Sequence, residues 1–96
     1  MIYESNLIQI VPGGGPGFEA AFAKAKPLLL RVAGCRSVEL LRQVEDADRY
    51  EVRVGWERLA DHVDIYPQTA EATEIRALLA PLIAHADRGH FEAVPL

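Results

Sequence analysis

Three side chains near the middle of the chain are suited to binding or transforming an aromatic small molecule. Trp56, His62 and Tyr66 lie within the stretch RYEVRVGWERLADHVDIY. The indole of Trp56 is flat and apolar with one N–H donor, which suits stacking on a planar aromatic ligand. The imidazole of His62 titrates near neutral pH and could act as a general base, and Tyr66 could donate its hydroxyl to the same ligand. The trio predicts a small-molecule pocket, and packing roles for all three are the alternative.

Polar residues that interrupt apolar strand faces are further candidates. Asn6 shares a strand side with three isoleucines, where an amide has low β propensity. It could hold a substrate carbonyl or a developing oxyanion, or it could bond backbone or a core water. Arg42 falls on the apolar side of its strand and could reach an anionic group, or turn to an acid at an edge. His90 on the closing strand is a further substrate-binding candidate.

Composition excludes several function classes. The net charge is −4 and the ten basic residues are scattered, which argues against nucleic-acid binding. No apolar run reaches the roughly 20 residues of a membrane span, and the N-terminus does not resemble a signal peptide. The single cysteine, Cys35, can form neither an internal disulfide nor a thiolate metal site, so a cytoplasmic location is expected. The three histidines are not spaced as metal ligands, so no metal is predicted.

The elements that position these residues can be read from hydrophobic periodicity. Residues 2–11 alternate as a central strand, and a Gly/Pro-rich loop follows. A first helix carries an apolar stripe at Phe18, Ala21, Phe22, Ala25, Leu28, Leu29 and Val32. Pro27 should kink this helix or split off its last turn. Further on, Leu59, His62, Val63 and Tyr66 are expected on one helical face, with Asp61 and Asp64 on the solvated face.

The remaining elements complete the pattern. Residues 36–45 and 49–56 predict two strands joined by a tight turn at residues 46–48. We expect their register to pair Val44 with Tyr50, Arg42 with Val52, Leu40 with Val54 and Val38 with Trp56. A helix capped by Thr69 should carry Ile75, Leu78, Leu79, Leu82 and Ile83, with His85 near its end. A last strand is expected near residues 89–94.

The order strand–helix–strand–strand–helix–strand predicts one domain over residues 1–96. It is the βαββαβ pattern of a ferredoxin-like α+β fold with a four-stranded antiparallel sheet. Helices in this topology cover one face of the sheet. The other face would carry Ser5, Leu7, Gln9, Leu41, Phe91 and Ala93, which is only partly polar. We therefore expect a homodimer that buries the open sheet face.

With these features assembled, the chain resembles the antibiotic biosynthesis monooxygenase superfamily. The resemblance rests on the opening strand with Asn6, on PG…FEAAFAKA, on AGCRSVELLRQVEDADRYEVRVGWERLADH, and on EIRALLAPLI and GHFEAV. It implies a dimeric α+β barrel and a cofactor-independent monooxygenase acting on a phenolic or hydroquinone-type molecule. Asn6 and Trp56 resemble the asparagine and tryptophan that line the pocket in such oxygenases.

The resemblance also implies a mechanism and its rivals. Trp56 would stack on the substrate, His62 would assist loss of the phenolic proton, and Asn6 would stabilise the developing charge while dioxygen reacts directly. The rivals are a non-catalytic small-molecule binder, an isomerase-type enzyme that uses His62 for proton transfer, and a haem-degrading enzyme. In the haem-degrading members a histidine ligand lies on the later helix, where this chain has Tyr66 closer to the expected position.

Overall fold

The computed structural model describes all 96 residues, and its elements follow the predicted order. The strands are β1 (Ile2–Ile10), β2 (Cys35–Arg42), β3 (Arg49–Trp56) and β4 (Ile83–Glu92). The helices are α1 (Gly15–Leu30) and α2 (Ala70–Leu79). All strand pairs are antiparallel in the order β2-β3-β1-β4. The ferredoxin-like α+β prediction is confirmed.

The core lies between one face of the sheet and the two helices. Alternate residues of β1 point to this face, and Ile8 and Ile10 are almost fully buried there. From α1, Phe18 and Phe22 pack against them, and Ile75 of α2 completes the cluster. The alternation of β1 therefore sorts its side chains as the sequence predicts.

Pro27 does not split off the last turn of α1, so that alternative of the prediction is wrong. The helix runs through it from Gly15 to Leu30. Both Pro27 and Ala23, whose carbonyl loses its usual N–H partner, are exposed. Water can therefore satisfy that carbonyl, which lowers the cost of a proline inside the helix.

The β2–β3 hairpin keeps the predicted faces but not the predicted register. Arg42 pairs with Tyr50, Leu40 with Val52, and Val38 with Val54, a shift of two residues. Since side chains alternate with period two, a two-residue shift leaves each on its predicted face. The strand β2 ends at Arg42, so Val44 lies in a wider loop and is exposed.

The segment after β3 is a π-helical turn, Asp61–Ile65, followed by a short 3₁₀ turn, Tyr66–Gln68. The wider turn buries Asp61 and His62 and leaves Leu59 and Val63 exposed. The expected shared face of Leu59, His62, Val63 and Tyr66 is therefore wrong, and so is the solvated position of Asp61.

Asp61 anchors the start of the π-helical turn. Its carboxylate accepts the backbone N–H of Arg58 at 3.0 Å and pairs with the Arg58 guanidinium at 2.8 Å. These contacts lower the pKa of Asp61, the Arg58 side-chain hydrogen bond most of all. Gly34, at φ +87°, leaves no room for a β-carbon because the carboxylate of Asp61 occupies that space. The exit loop of α1 and the π-helical turn thus fix each other.

The last third of the chain differs most from the prediction. Thr69 caps α2 as expected, accepting the backbone N–H of Ala72 at 3.1 Å. The strand β4, however, begins at Ile83 and ends at Glu92, so His85 lies within it. Nearly every residue of β4 is exposed. A strand is recognised in a sequence by apolar residues at every second position, and an exposed strand has too few apolar residues to show this alternation.

The open face of the sheet carries the apolar side chains that the sequence places there. Leu7, Leu41 and Phe91 are 43%, 36% and 61% exposed. Ala93 lies beyond the end of β4. No helix is both long enough and apolar enough to span a bilayer.

Candidate functional site

A cavity of about 270 Å³ opens between the inner face of the sheet and α2. Most of its wall is apolar and comes from β1, β3, α1 and α2. A polar group of side chains occupies one part of the wall: Glu4, Asn6, His62, Tyr66, Arg76 and Arg88. An apolar chamber with a few converging polar groups is the usual form of a small-molecule site.

Glu4 organises the polar part of the cavity. Its side chain points inward from β1 and is 6% exposed as a residue. One carboxylate oxygen, Oε1, accepts the indole N–H of Trp56 at 3.2 Å and lies 3.3 Å from Nε2 of His62. The other oxygen, Oε2, lies 3.2 Å from Nε of Arg88. The carboxylate thus accepts a hydrogen bond from Trp56 and lies in close contact with His62 and Arg88, so it joins three elements.

His62 is held on both ring nitrogens by protein groups. Nε2 faces Glu4, and Nδ1 lies 2.8 Å from Nε2 of His90. Burial lowers the pKa of His62, with Arg88 and His90 acting in the same direction and Glu4 opposing them. The ring is therefore neutral at pH 7, with its proton on Nε2 toward Glu4 and its Nδ1 accepting from His90. Direct attack on a substrate proton by His62 would require the His90 contact to break.

Trp56 is completely buried and is not part of the cavity wall. Its ring stacks on His62, with centroids 5.2 Å apart and planes inclined by 18°. Tyr66 lies against both rings, at 5.7 Å from Trp56 and 5.8 Å from His62. The structure therefore places Trp56 behind the site, where it orients Glu4 and His62. The predicted stacking of a ligand directly on Trp56 has no support in this arrangement.

Tyr66 borders the cavity between the aromatic layer and α2. Burial raises the pKa of its hydroxyl, and the Glu4 carboxylate raises it further. The cations Arg88 and Arg76 oppose that change. The hydroxyl is accordingly a neutral donor at neutral pH, as the sequence analysis expects of a ligand contact.

Asn6 carries an unsatisfied polar atom. The residue is 8% exposed, and its Oδ1 is the one buried side-chain oxygen or nitrogen with no hydrogen-bond partner. It lies in the cavity wall beside Glu4. A buried acceptor without a partner costs stability, which a donor brought by a ligand would recover.

Arg42 does not reach this cavity. Its guanidinium lies 3.5 Å from the Glu19 carboxylate, and more than half of its side chain is exposed. It borders a separate shallow hollow with Leu7, Leu41, Gln43, Arg49, Tyr50 and Glu51. The structure thus brings together Asn6, His62 and Tyr66, places Trp56 and His90 against His62, and leaves Arg42 apart.

Glu4, Arg76 and Arg88 are site residues that the sequence analysis does not identify. For Glu4 a signal was present, since it alternates in register with Asn6 and the isoleucines of β1. A carboxylate on that side needs partners for the same reason that an amide does. Arg88 carries no such signal, because it falls between the predicted helix and the strand expected near residues 89–94, whereas β4 begins at Ile83. Arg76 reads as an ordinary exposed helix residue.

The cavity, with its buried carboxylate and histidine, lies between the helices and a four-stranded antiparallel sheet, so the chain is a ferredoxin-like α+β protein with an internal cavity. Residues 1–78 match the profile of the antibiotic biosynthesis monooxygenase family. The chain belongs to that family.

Two solved structures and one sequence relative are similar to this chain over most of its length. A Bordetella bronchiseptica protein assigned to the antibiotic biosynthesis monooxygenases is 35% identical, with a TM-score of 0.93 over 98% of this chain and 97% of that one. SnoaB from Streptomyces nogalater, a cofactor-independent oxygenase, is 19% identical and shares the fold, with a TM-score of 0.85 over 99% of this chain and 94% of that one. The uncharacterized protein YczJ from Bacillus subtilis is 32% identical over 79 residues, which are 82% of this chain and 83% of YczJ.

Proposed function

We propose that the protein is a cofactor-independent monooxygenase whose substrate is a phenolic or hydroquinone-type aromatic molecule. The observation that carries this proposal is the pairing of two hydrogen-bond acceptors in one apolar cavity, Glu4 and Asn6 Oδ1. The description of SnoaB as a cofactor-independent oxygenase supports the reaction type, and membership of the family supports it further.

The spare capacity of Glu4 suits a phenolic hydroxyl. A carboxylate has about four acceptor positions, of which Trp56 uses one, and His62 and Arg88 lie close to the two oxygens. Oε2 is in contact with Arg88 alone and can accept a substrate O–H. A second hydroxyl, as in a hydroquinone-type ligand, would satisfy Asn6 Oδ1. Glu4 is therefore the better candidate for the group that takes the phenolic proton, since both nitrogens of His62 are engaged.

The reaction balances without a cofactor. Glu4 takes the phenolic proton, and the resulting electron-rich anion adds dioxygen at a ring carbon that carries a hydrogen and lies ortho or para to its oxygen. That carbon then loses its hydrogen as the O–O bond breaks, giving a carbonyl and water with the proton returned by Glu4. Phenol and dioxygen thus give quinone and water, and the substrate supplies the electrons. The protein contributes orientation, a basic group and an apolar chamber. The amide hydrogens of Asn6 can donate to the oxygen that becomes charged.

Oxygen uptake with a panel of one- and two-ring phenols and hydroquinones tests the proposal. We expect uptake equal to quinone formed, with one atom of ¹⁸O₂ in the quinone. Glu4→Gln should lower the rate by about 10²-fold or more, in the range of general-base contributions. Glu45→Gln, at an exposed position in the β2–β3 loop, is the matched control and should leave it unchanged. Ligand binding with no oxygen uptake across the panel would reject the oxygenase function and leave a binding protein.

We also propose that two copies associate through the open sheet face. The support is the exposed apolar group Leu7, Leu41 and Phe91, which lies on the uncovered side of a sheet whose other side is packed. Light scattering at micromolar concentration should give twice the chain mass. Leu7→Glu should give the monomer mass. Val63 lies outside the sheet and is about as exposed as Leu7, so Val63→Glu is the control and should keep the dimer mass. A monomer for the unchanged protein would refute this assembly.

A further inference from the structure

The charges around the cavity do not balance. Glu4, Arg88 and Arg76 are the ionised residues in its wall, and His62 is neutral at pH 7. Glu4 and Arg88 form an ion pair at 3.2 Å, so their charges largely cancel. Arg76 takes part in none of the ion pairs or side-chain hydrogen bonds of the structure. Arg76, an exposed residue of α2, is therefore the one positive charge in the cavity wall without a counterion from the protein.

The position of this charge complements the unpartnered amide. Arg76 lies in the last turn of α2, on the helix side of the cavity, whereas Asn6 and Glu4 lie on the sheet side. Tyr66 is near enough to Arg76 for the guanidinium to act on its hydroxyl electrostatically. The chamber thus offers hydroxyl acceptors on its sheet side and an anion-binding group on its helix side, with an apolar wall between them.

We propose that the ligand is an aromatic hydroxy acid whose carboxylate binds Arg76 and whose hydroxyl faces Glu4 and Asn6. Arg76 is then the residue that selects anionic over neutral phenols. This inference rests on the proposed function in taking the cavity as the substrate site, and it adds the charge of the substrate. A planar guanidinium binds a carboxylate through two parallel hydrogen bonds, which also fixes the direction of the ring.

Cavity size limits the ligand further. A volume of about 270 Å³ is below the roughly 300–1,000 Å³ of pockets for drug-sized molecules. A ligand of one or two fused rings fits this limit, and a larger polycyclic molecule would need the cavity to widen. We therefore assign the preference to hydroxybenzoates and hydroxynaphthoates as a chemical class.

Calorimetric binding of a matched ligand set tests the inference without requiring turnover. The set is 6-hydroxy-2-naphthoate, its methyl ester, 2-naphthol and 2-naphthoate. We expect the hydroxy acid to bind about tenfold more tightly than the ester, which matches about 1.4 kcal/mol. Arg76→Gln should remove that preference and leave the affinity for 2-naphthol unchanged. Arg76→Lys should keep part of the preference for the acid, because the positive charge remains but the two parallel hydrogen bonds to the carboxylate are lost.

The control variant is Arg31→Gln, an exposed arginine at the end of α1 with no ion pair and no place in the cavity wall. It should bind all four ligands as the unchanged protein does. Asn6→Ala should weaken 6-hydroxy-2-naphthoate relative to 2-naphthoate, which lacks the hydroxyl. Melting curves of each variant separate lost binding from lost folding.

The outcomes separate this inference from the oxygenase proposal. Equal affinity for acid and ester, or an acid preference that survives Arg76→Gln, overturns the assignment of Arg76 whether or not phenols are oxidised. An Arg76-dependent preference with no oxygen uptake supports the assignment and rejects the oxygenase.

Discussion

The buried carboxylate of Glu4 gives the sharpest test of the site's construction. Glu4→Leu keeps a similar volume but removes the acceptor shared by Trp56, His62 and Arg88. Arg88 is half exposed and can turn to water. The indole N–H of Trp56 and the ring N–H of His62 are buried and cannot. Each buried donor without a partner costs about 1–3 kcal/mol, and the leucine recovers part of this as apolar burial.

We expect Glu4→Leu to lower the free energy of unfolding by about 3 kcal/mol. For a domain of this size that corresponds to a fall in melting temperature of about 12–24 °C. Glu4→Gln should cost about 1 kcal/mol, since its amide oxygen still accepts from Trp56. The same oxygen also faces the ring N–H of His62, and the amide nitrogen then lies toward Arg88, which is half exposed and can turn to water. The difference in unfolding free energy between the two variants thus measures the cost of leaving buried donors without an acceptor, because both variants lose the charge.

Thermal and urea unfolding followed by circular dichroism measure both variants. The indole N–H resonance of Trp56 reports independently whether its hydrogen bond is lost. Glu74→Leu, on the exposed side of α2, is the control for replacing a carboxylate by leucine and should change the melting temperature by only a few degrees. Equal stability of Glu4→Leu and Glu4→Gln, or a leucine variant as stable as the unchanged protein, would refute the reasoning.

Three further predictions concern pH, backbone and thiol chemistry. Burial lowers the pKa of His62 below its unfolded value, so the unfolded chain binds more protons than the folded chain below about pH 6.5. The free energy of unfolding should therefore decrease as the pH is lowered below that value. His62→Gln should reduce that slope in pH-dependent urea melts, whereas substitution of the exposed His85 should not. Gly34→Ala should destabilise more than Gly13→Ala in the same melts, because both have positive φ (87° and 73°) but only Gly34 has no space for a β-carbon. Burial raises the pKa of Cys35 to about 11, so the thiol should react with thiol reagents at pH 8 only as fast as the protein unfolds, and rapid labelling would contradict its placement.

Features of the fold could be predicted from the sequence where the spacing of apolar residues matches the repeat of the strand or helix that forms. Strand β1 alternates, so the inward position of Asn6 was predictable. The two-residue error at the β2–β3 hairpin was invisible, since it leaves each side chain on the same face. The turn Asp61–Ile65 was not predictable from a helical period of 3.6, because its π-helical geometry exposes Val63 and buries Asp61.

The candidate site was less predictable than the fold for a related reason. Glu4, Arg76 and Arg88 could not be identified from the sequence segment in which each lies, because their partners lie in other elements. Glu4 needs donors from β3, from the π-helical turn and from β4, and no single segment shows them. The role of Trp56 depends on which ring stacks on it, and this is a property of the packed structure.

Strand β4 has a consequence for the dynamics of the site. It is hydrogen-bonded to β1 on one side only and is mostly exposed, so it can detach by breaking a single ladder while the packed sheet and helices persist. Its detachment would withdraw Arg88 from Glu4 and His90 from His62 together. Assembly of the charged half of the cavity is thus coupled to a local opening equilibrium, whose free energy is smaller than that of global unfolding. Hydrogen exchange of the β4 amides would report how often the site is complete.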